Sequence, residues 1–96
     1  MQLSLILAHP DPASFNHAIA QTALEALQAN AHTVFLHDLY QEKFDPLLPA
    51  LEMARDATLP AVIRQHCDEI AAADGIIIVH PNWWGQPPAI LKGWVD

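Results

Sequence analysis

The sequence predicts an α/β protein with three parallel strands in the spatial order 2-1-3, flanked by helices. Short apolar runs alternate with stretches of helical period in the order β-α-β-α-β-α, and such alternation builds parallel sheets through right-handed crossovers. The most apolar run, "GIIIV" at 75–79, would normally lie in the middle of a sheet, yet this order leaves it at an edge. The chain also ends at Asp96 inside a helical pattern, without a Gly or Asn stop signal. The sheet is therefore expected to be incomplete, with residues 1–96 forming the N-terminal part of a single larger domain.

Each element has its own justification. "LSLILA", residues 3–8, is short and almost continuously apolar, as a strand covered on both faces would be. The loop "HPDPASFN" follows, punctuated by Pro10 and Pro12. From about Ser14 to Asn30 an apolar stripe of Phe15, Ile19, Ala23, Ala26 and Leu27 recurs at helical spacing, with His17, Gln21, Glu25 and Gln28 facing away. Residues 32–40, "HTVFLHDLY", read as a second strand running into a loop. Residues 41–59 carry Pro46 and Pro49 and form an extended connection with room for one short helical turn. Pro60 suits the first turn of a helix running to Ala73, with Val62, Ile63, His66, Cys67 and Ile70 at helical spacing. Gly75 to His80 is the third strand, and a last helix begins at Pro88.

Composition narrows the function. Four Lys and Arg face eleven Asp and Glu, a net charge of −7, so nothing here neutralises a row of nucleic-acid phosphates or an anionic membrane. A small anionic ligand stays open, because amides at a helix start hold phosphate without Lys or Arg. The single cysteine, Cys67, allows no internal disulfide. No stretch approaches the ~20 apolar residues of a bilayer span, and the first strand lacks the basic flank of a signal peptide. A cytoplasmic protein is expected.

In open α/β sheets ligands bind beyond the carboxyl ends of the strands, where strand order reverses. For order 2-1-3 that point brings together the two most unusual loops of the chain, "HPDPASFN" and "HPNWWGQPP". Ser14 can cap the first helix, leaving the amides of Phe15 and Asn16 for a phosphate; on loop content alone, the simpler reading of Ser14 as only an N-cap and His9 as only a loop residue is favoured. Trp83 and Trp84 either plug a gap in a core or form a platform for a flat ring, while Trp94 reads as core. His9 and His80 both end strands and can lie close together. No HxH or HxxxH pair occurs among the six histidines, so no metal site is expected. His66 and Cys67 read as structural, and Glu52, Asp56, Asp68 and Glu69 as solvated surface.

"LILAHPDPASFNHAIA", "HDLYQEKFDPLLP" and "AADGIIIVHPNWWGQPPAILKGWVD" together resemble the flavodoxin-like NAD(P)H dehydrogenase (quinone) family over nearly the whole chain. The resemblance implies a flavodoxin-like open parallel sheet and a flavoprotein that passes two electrons from NAD(P)H through FMN or FAD to a quinone-like acceptor. Carried onto this chain, the flavin phosphates fall to His9, Ser14, Phe15 and Asn16. The loop along the isoalloxazine falls to Pro81, Asn82, Trp83, Trp84 and Gly85. Trp84 takes the place of the family's characteristic tryptophan, Trp83 stands where glutamine is common, and Asp38 to Tyr40 matches a structural turn. The family's hydride-transfer residues lie beyond the matched region, so no catalytic residue is assigned. The resemblance further implies a homodimer in the full-length form, or, alternatively, an accessory flavin-binding partner of a membrane transporter. A truncated remnant without activity is the third reading. A chain of this length is expected to bind flavin weakly or not at all and to turn over little.

Overall fold

A computed structural model describes residues 1–96. The elements are β1 (Gln2–Leu7), α1 (Phe15–Ala29), β2 (Thr33–Asp38), a 3-10 turn (Ala50–Met53), α2 (Ala61–Ala72), β3 (Gly75–Val79) and α3 (Ala89–Val95). The three strands form one sheet in the order β2-β1-β3. Both pairings are parallel, with Leu5 opposite Leu36 on one side and Ile77 on the other. Order and direction agree with the sequence expectation, and Pro60 and Pro88 stand at the N-caps of α2 and α3. No helix is long and apolar enough to cross a membrane.

The alternation of β1 divides the core. Leu5 and Leu7 point to one face and join Ala20 of α1 and Val79 of β3. Ile6 and Ala8 point to the other and join Leu39 and Leu91, with Tyr40, Phe44, Ile90 and Trp94 packed around them. α1 thus covers one face, while α2 lies over the other beside β1 and β2, with Leu91 of α3 packed into the same cluster. Trp94 is half-buried against the second cluster, in keeping with its reading as core.

The helix faces need correction, whereas the exposed edge of β3 is what the 2-1-3 order implies. The inward face of α1 is His17, Ala20, Ala23, Leu24 and Leu27, whereas Phe15 (79% exposed), Ile19 and Ala26 look outward. Ala20, the buried residue of this helix, packs with Leu5 and Leu7 of β1. β3 is covered on one face only: Ile77 and Val79 are inside, but Ile76 and Ile78 stay nearly half exposed at the sheet edge. Along α2, Val62 and Cys67 face solvent, while Glu69, expected on the surface, turns inward to His37.

Candidate functional site

The carboxyl ends of β1 and β3 lie side by side, and the ladder continues one step past the strands, with Ala8 N–H donating to Val79 O at 3.0 Å. The two loops that leave this point are in contact. The His9 ring meets Trp83 edge-on, with centroids 5.9 Å apart, and His17 from its other side at 6.2 Å. His9 therefore pairs with Trp83 and His17, not with His80, whose Nδ1 bonds the Pro81 carbonyl.

The first loop is a run of local turns. Asp11 N–H donates to His9 Nδ1, Asp11 Oδ1 accepts from Ala13 N–H, and Asp11 O accepts from Ser14 N–H. Ser14 takes an extended backbone and caps α1, its Oγ accepting from His17 N–H at 3.2 Å. Ser14 O accepts from Ala18 N–H, so the amides of Phe15 and Asn16 keep no partner in the chain, at the positive end of a 15-residue helix. Beside them runs a side-chain string. Asp38 Oδ2 lies 3.0 Å from His17 Nε2, and His17 Nδ1 lies 2.8 Å from Ser14 Oγ. With the carboxylate as acceptor, Nε2 carries the ring proton, Nδ1 is the acceptor and the Ser14 hydroxyl donates. Asp38 is itself held by Gln41 N–H on Oδ1 at 3.1 Å. A cleft of about 410 Å³ lined by His9, Pro10, Pro12, His17, Asp38 and Tyr40 opens next to this string. None of the four Lys and Arg residues lies in either loop, so an anion here relies on amides and imidazoles.

The second loop is a two-residue hairpin. Trp83 and Gln86 exchange both backbone hydrogen bonds at 2.9 Å, and Trp84 and Gly85 between them have φ of 55° and 77°. Positive φ at both central residues is the pattern of a type I′ turn, which favours Asn-Gly and penalises a bulky first residue. Trp84 is nonetheless there, with its side chain fully exposed, while Trp83 is 40% exposed against His9. Neither ring plugs a core. Pro81 is half-buried at the loop's base, and Asn82 and Gly85 are exposed.

The structure thus brings His9, Ser14, Phe15, Asn16, Pro81, Asn82, Trp83, Trp84 and Gly85 to one end of the sheet. His17 and Asp38 belong there too and were missed by the sequence reading. The signal for His17 was its place three residues after the Ser14 cap; Asp38 showed none apart from ending β2.

A second polar cluster lies under α2, away from these loops. His37 of β2 is bonded through Nδ1 to both oxygens of Glu42 (2.9 and 3.0 Å) and through Nε2 to Glu69. The His66 ring stacks on it with centroids 3.9 Å apart. Burial alone would depress His37, but the hydrogen bonds and charges of Glu69 and Glu42 outweigh it and hold the imidazole above its ordinary 6.5. His66 is held below that value by burial and by the His37 charge, against the pull of Glu42. Glu69, which burial alone would raise, is lowered by hydrogen bonds from His37 and Gln65.

The signs give a pH prediction. The His37 contribution is complete below pH 6.5 and fades as pH rises through its raised folded value, whereas that of Glu69 is complete above 4.5 and fades in acid. His66 opposes His37, favouring the fold fully above pH 6.5. Thermal melts in chelator should therefore show wild type losing stability relative to His37→Gln as pH rises above 6.5. Parallel curves would refute the assignment.

Fold and site define a parallel α/β protein with a cradle of free amides and an aromatic loop at its switch point. The family described as having a flavodoxin-like fold matches residues 1–96, and the chain belongs to it. It is 42% identical over 95 residues to a Haemophilus influenzae protein named an uncharacterized NAD(P)H oxidoreductase, covering 96% of this chain and 47% of that one. It is 32% identical over 112 residues to NAD(P)H dehydrogenase [quinone] 1 of Cavia porcellus, covering 96% and 40%. The solved NAD(P)H:quinone oxidoreductase from Methanothermobacter marburgensis superposes with a TM-score of 0.85 at 29% identity, covering 98% and 50%. The chain spans about half the length of these relatives.

Proposed function

We propose that residues 1–96 are the N-terminal, flavin-holding part of an NAD(P)H:quinone-type oxidoreductase domain. The observation that carries this reading is the pair of free amides at Phe15 and Asn16 facing the same end of the sheet as the exposed Trp84. A phosphate suits the first and a flat ring the second. In this reading Ser14, Phe15, Asn16 and His9 hold the flavin phosphate, and Pro81 to Gly85 run along one side of its ring. FMN or FAD would supply the two-electron chemistry between NAD(P)H and a quinone-like acceptor.

The chain's own part is positional. The Asp38–His17 string orients the Ser14 hydroxyl, and His9 supports Trp83 edge-on. The quinone-like acceptor is supported by the names of the relatives, and a cytoplasmic homodimer in the longer protein goes with the same reading.

Phe15→Pro tests it with little disturbance to the fold. Phe15 is the first helical residue, where proline is favoured, its ring is largely exposed, and Ser14 already has the extended backbone (φ −70°, ψ 158°) that precedes proline comfortably. The substitution removes one of the two free amides. Titration of the purified chain with FMN and FAD, followed by flavin fluorescence, should show weak saturable binding that falls about tenfold or more in the variant, the size of a charge-assisted hydrogen bond. Equal affinity in the two chains would overturn the cradle.

A further inference from the structure

The cluster under α2 has the donors, spacing and support of a metal centre. We propose that His37 Nδ1, His66 Nε2 and a Glu42 carboxylate oxygen bind a Zn²⁺-class divalent cation, with Glu69 orienting His37. The three ligand atoms all lie within 4.8 Å of one another. Glu42 Oε2 is 2.9 Å from His37 Nδ1, and Glu42 Oε1 is 3.4 Å from His66 Nε2. Bonds of 2.0–2.1 Å to a tetrahedral ion set neighbouring ligands about 3.3 Å apart, so these two edges lie within a few tenths of an ångström of that spacing, and the stacked imidazoles, centroids 3.9 Å apart, turn so that both ring lone pairs meet the ion.

Two further observations point to a ligand. His66 is 5% exposed, and its Nε2 is buried without a hydrogen-bond partner, aimed at Glu42. A polar atom so placed is costly unless something binds it. His37, for its part, bonds Glu69 through its other nitrogen, and Gln65 Nε2 donates to Glu69 Oε1 at 3.2 Å. A carboxylate behind the second ring nitrogen is the usual support of a metal-bound histidine. Two histidines and one carboxylate suit zinc and its neighbours better than calcium or magnesium. A groove of about 470 Å³ between α2 and α3, lined by Phe44, Ile63, Cys67, Ile70 and Trp94, opens onto His66 and offers a way in. The ligands come from β2, the loop after it and α2, which is why no short histidine spacing marks them.

Proton accounting adds an optical signature. Trp94 Nε1–H donates to His66 Nδ1 at 3.0 Å, so the neutral ring carries its proton on Nε2. When Nε2 binds the metal, that proton passes to Nδ1, which then faces the indole N–H donor to donor. The Trp94 bond breaks and the half-exposed indole turns away. His37 gives up its Nδ1 proton to solvent when it is charged and keeps the Nε2 proton on Glu69.

The test uses the purified chain stripped with chelator and titrated with Zn²⁺ by calorimetry and with Co²⁺ by visible absorption. One ion per chain is expected, with tetrahedral Co²⁺ bands and a tryptophan fluorescence change that Trp94→Phe removes. Glu42→Gln should weaken binding at least tenfold, and Glu69→Gln 10- to 100-fold. Circular dichroism checks both folds, and if Glu42→Gln does not fold, Glu69→Gln and the fluorescence change decide. The exposed Met1 amine and His32 Nδ1, 3.1 Å apart, are the competing site, and His32→Gln should leave affinity unchanged. Absence of stoichiometric binding, loss of binding in His32→Gln, or wild-type affinity in Glu42→Gln and Glu69→Gln would each overturn the proposal.

Discussion

Gly93→Ala is expected to destabilise the chain by about 3 kcal/mol or more, although alanine is the better helix former. Helix propensity favours the substitution by about 1 kcal/mol. Against that, a Cβ at Gly93 would sit inside contact distance of Cα, Cβ and the carbonyl oxygen of Pro46. The obstacle is largely backbone, in the connection after β2, and cannot step aside as the end of a side chain can. Overpacking of this kind costs about 1–3 kcal/mol where neighbours relax, and more where they cannot. The clash therefore wins. α3 also follows directly on the Trp83–Gly85 loop through the fully buried Pro88, so its displacement disturbs that loop as well. Urea unfolding measures the effect, and a variant within about 1 kcal/mol of wild type would show that Pro46 does not wall off this helix.

Trp84→Asn should move stability and ligand binding in opposite directions. A bulky residue at φ 55° carries left-handed strain of about 1–2 kcal/mol, and the change makes the turn Asn-Gly, the pair best suited to positive φ twice over. Since the Trp84 side chain is fully exposed, its loss removes no packing. Stability should rise by about 1 kcal/mol. Stacking of an indole on a flat ring is worth about 1–3 kcal/mol, so flavin affinity should fall roughly 5- to 150-fold. A melting temperature that falls, or affinity that holds, would remove Trp84 from the ring-binding role.

The sheet was legible because each strand is a short apolar run and each crossover a helix with a clear period. The 2-1-3 order alone sets "HPDPASFN" beside "HPNWWGQPP", and His9 against Trp83 is the contact that joins them. What periodicity could not decide was which half of α1 meets β1. Both halves are apolar, and the choice falls to the small Ala20 and to His17, held between Ser14 and Asp38. Glu69 looked like surface because its partner, His37, lies 32 residues away on another element. The strain at Trp84 was equally hidden, since the letters "WWGQ" do not announce a turn that would prefer Asn-Gly.

The central position of β1 also governs how the chain comes together in time. Its partners in β3 follow by 72 residues, Leu3 pairing with Gly75, and Asp74 clamps Gln2 through both its N–H and a carboxylate oxygen. Contacts of such long range are slow to form, because loop closure must be met before any pairing rewards it. During synthesis, Leu5, Ile6 and Leu7 can find β2 early, but the sheet cannot close until Val79 has left the ribosome. Until then one edge of the most buried strand stays unpaired and open to chaperones and to aggregation.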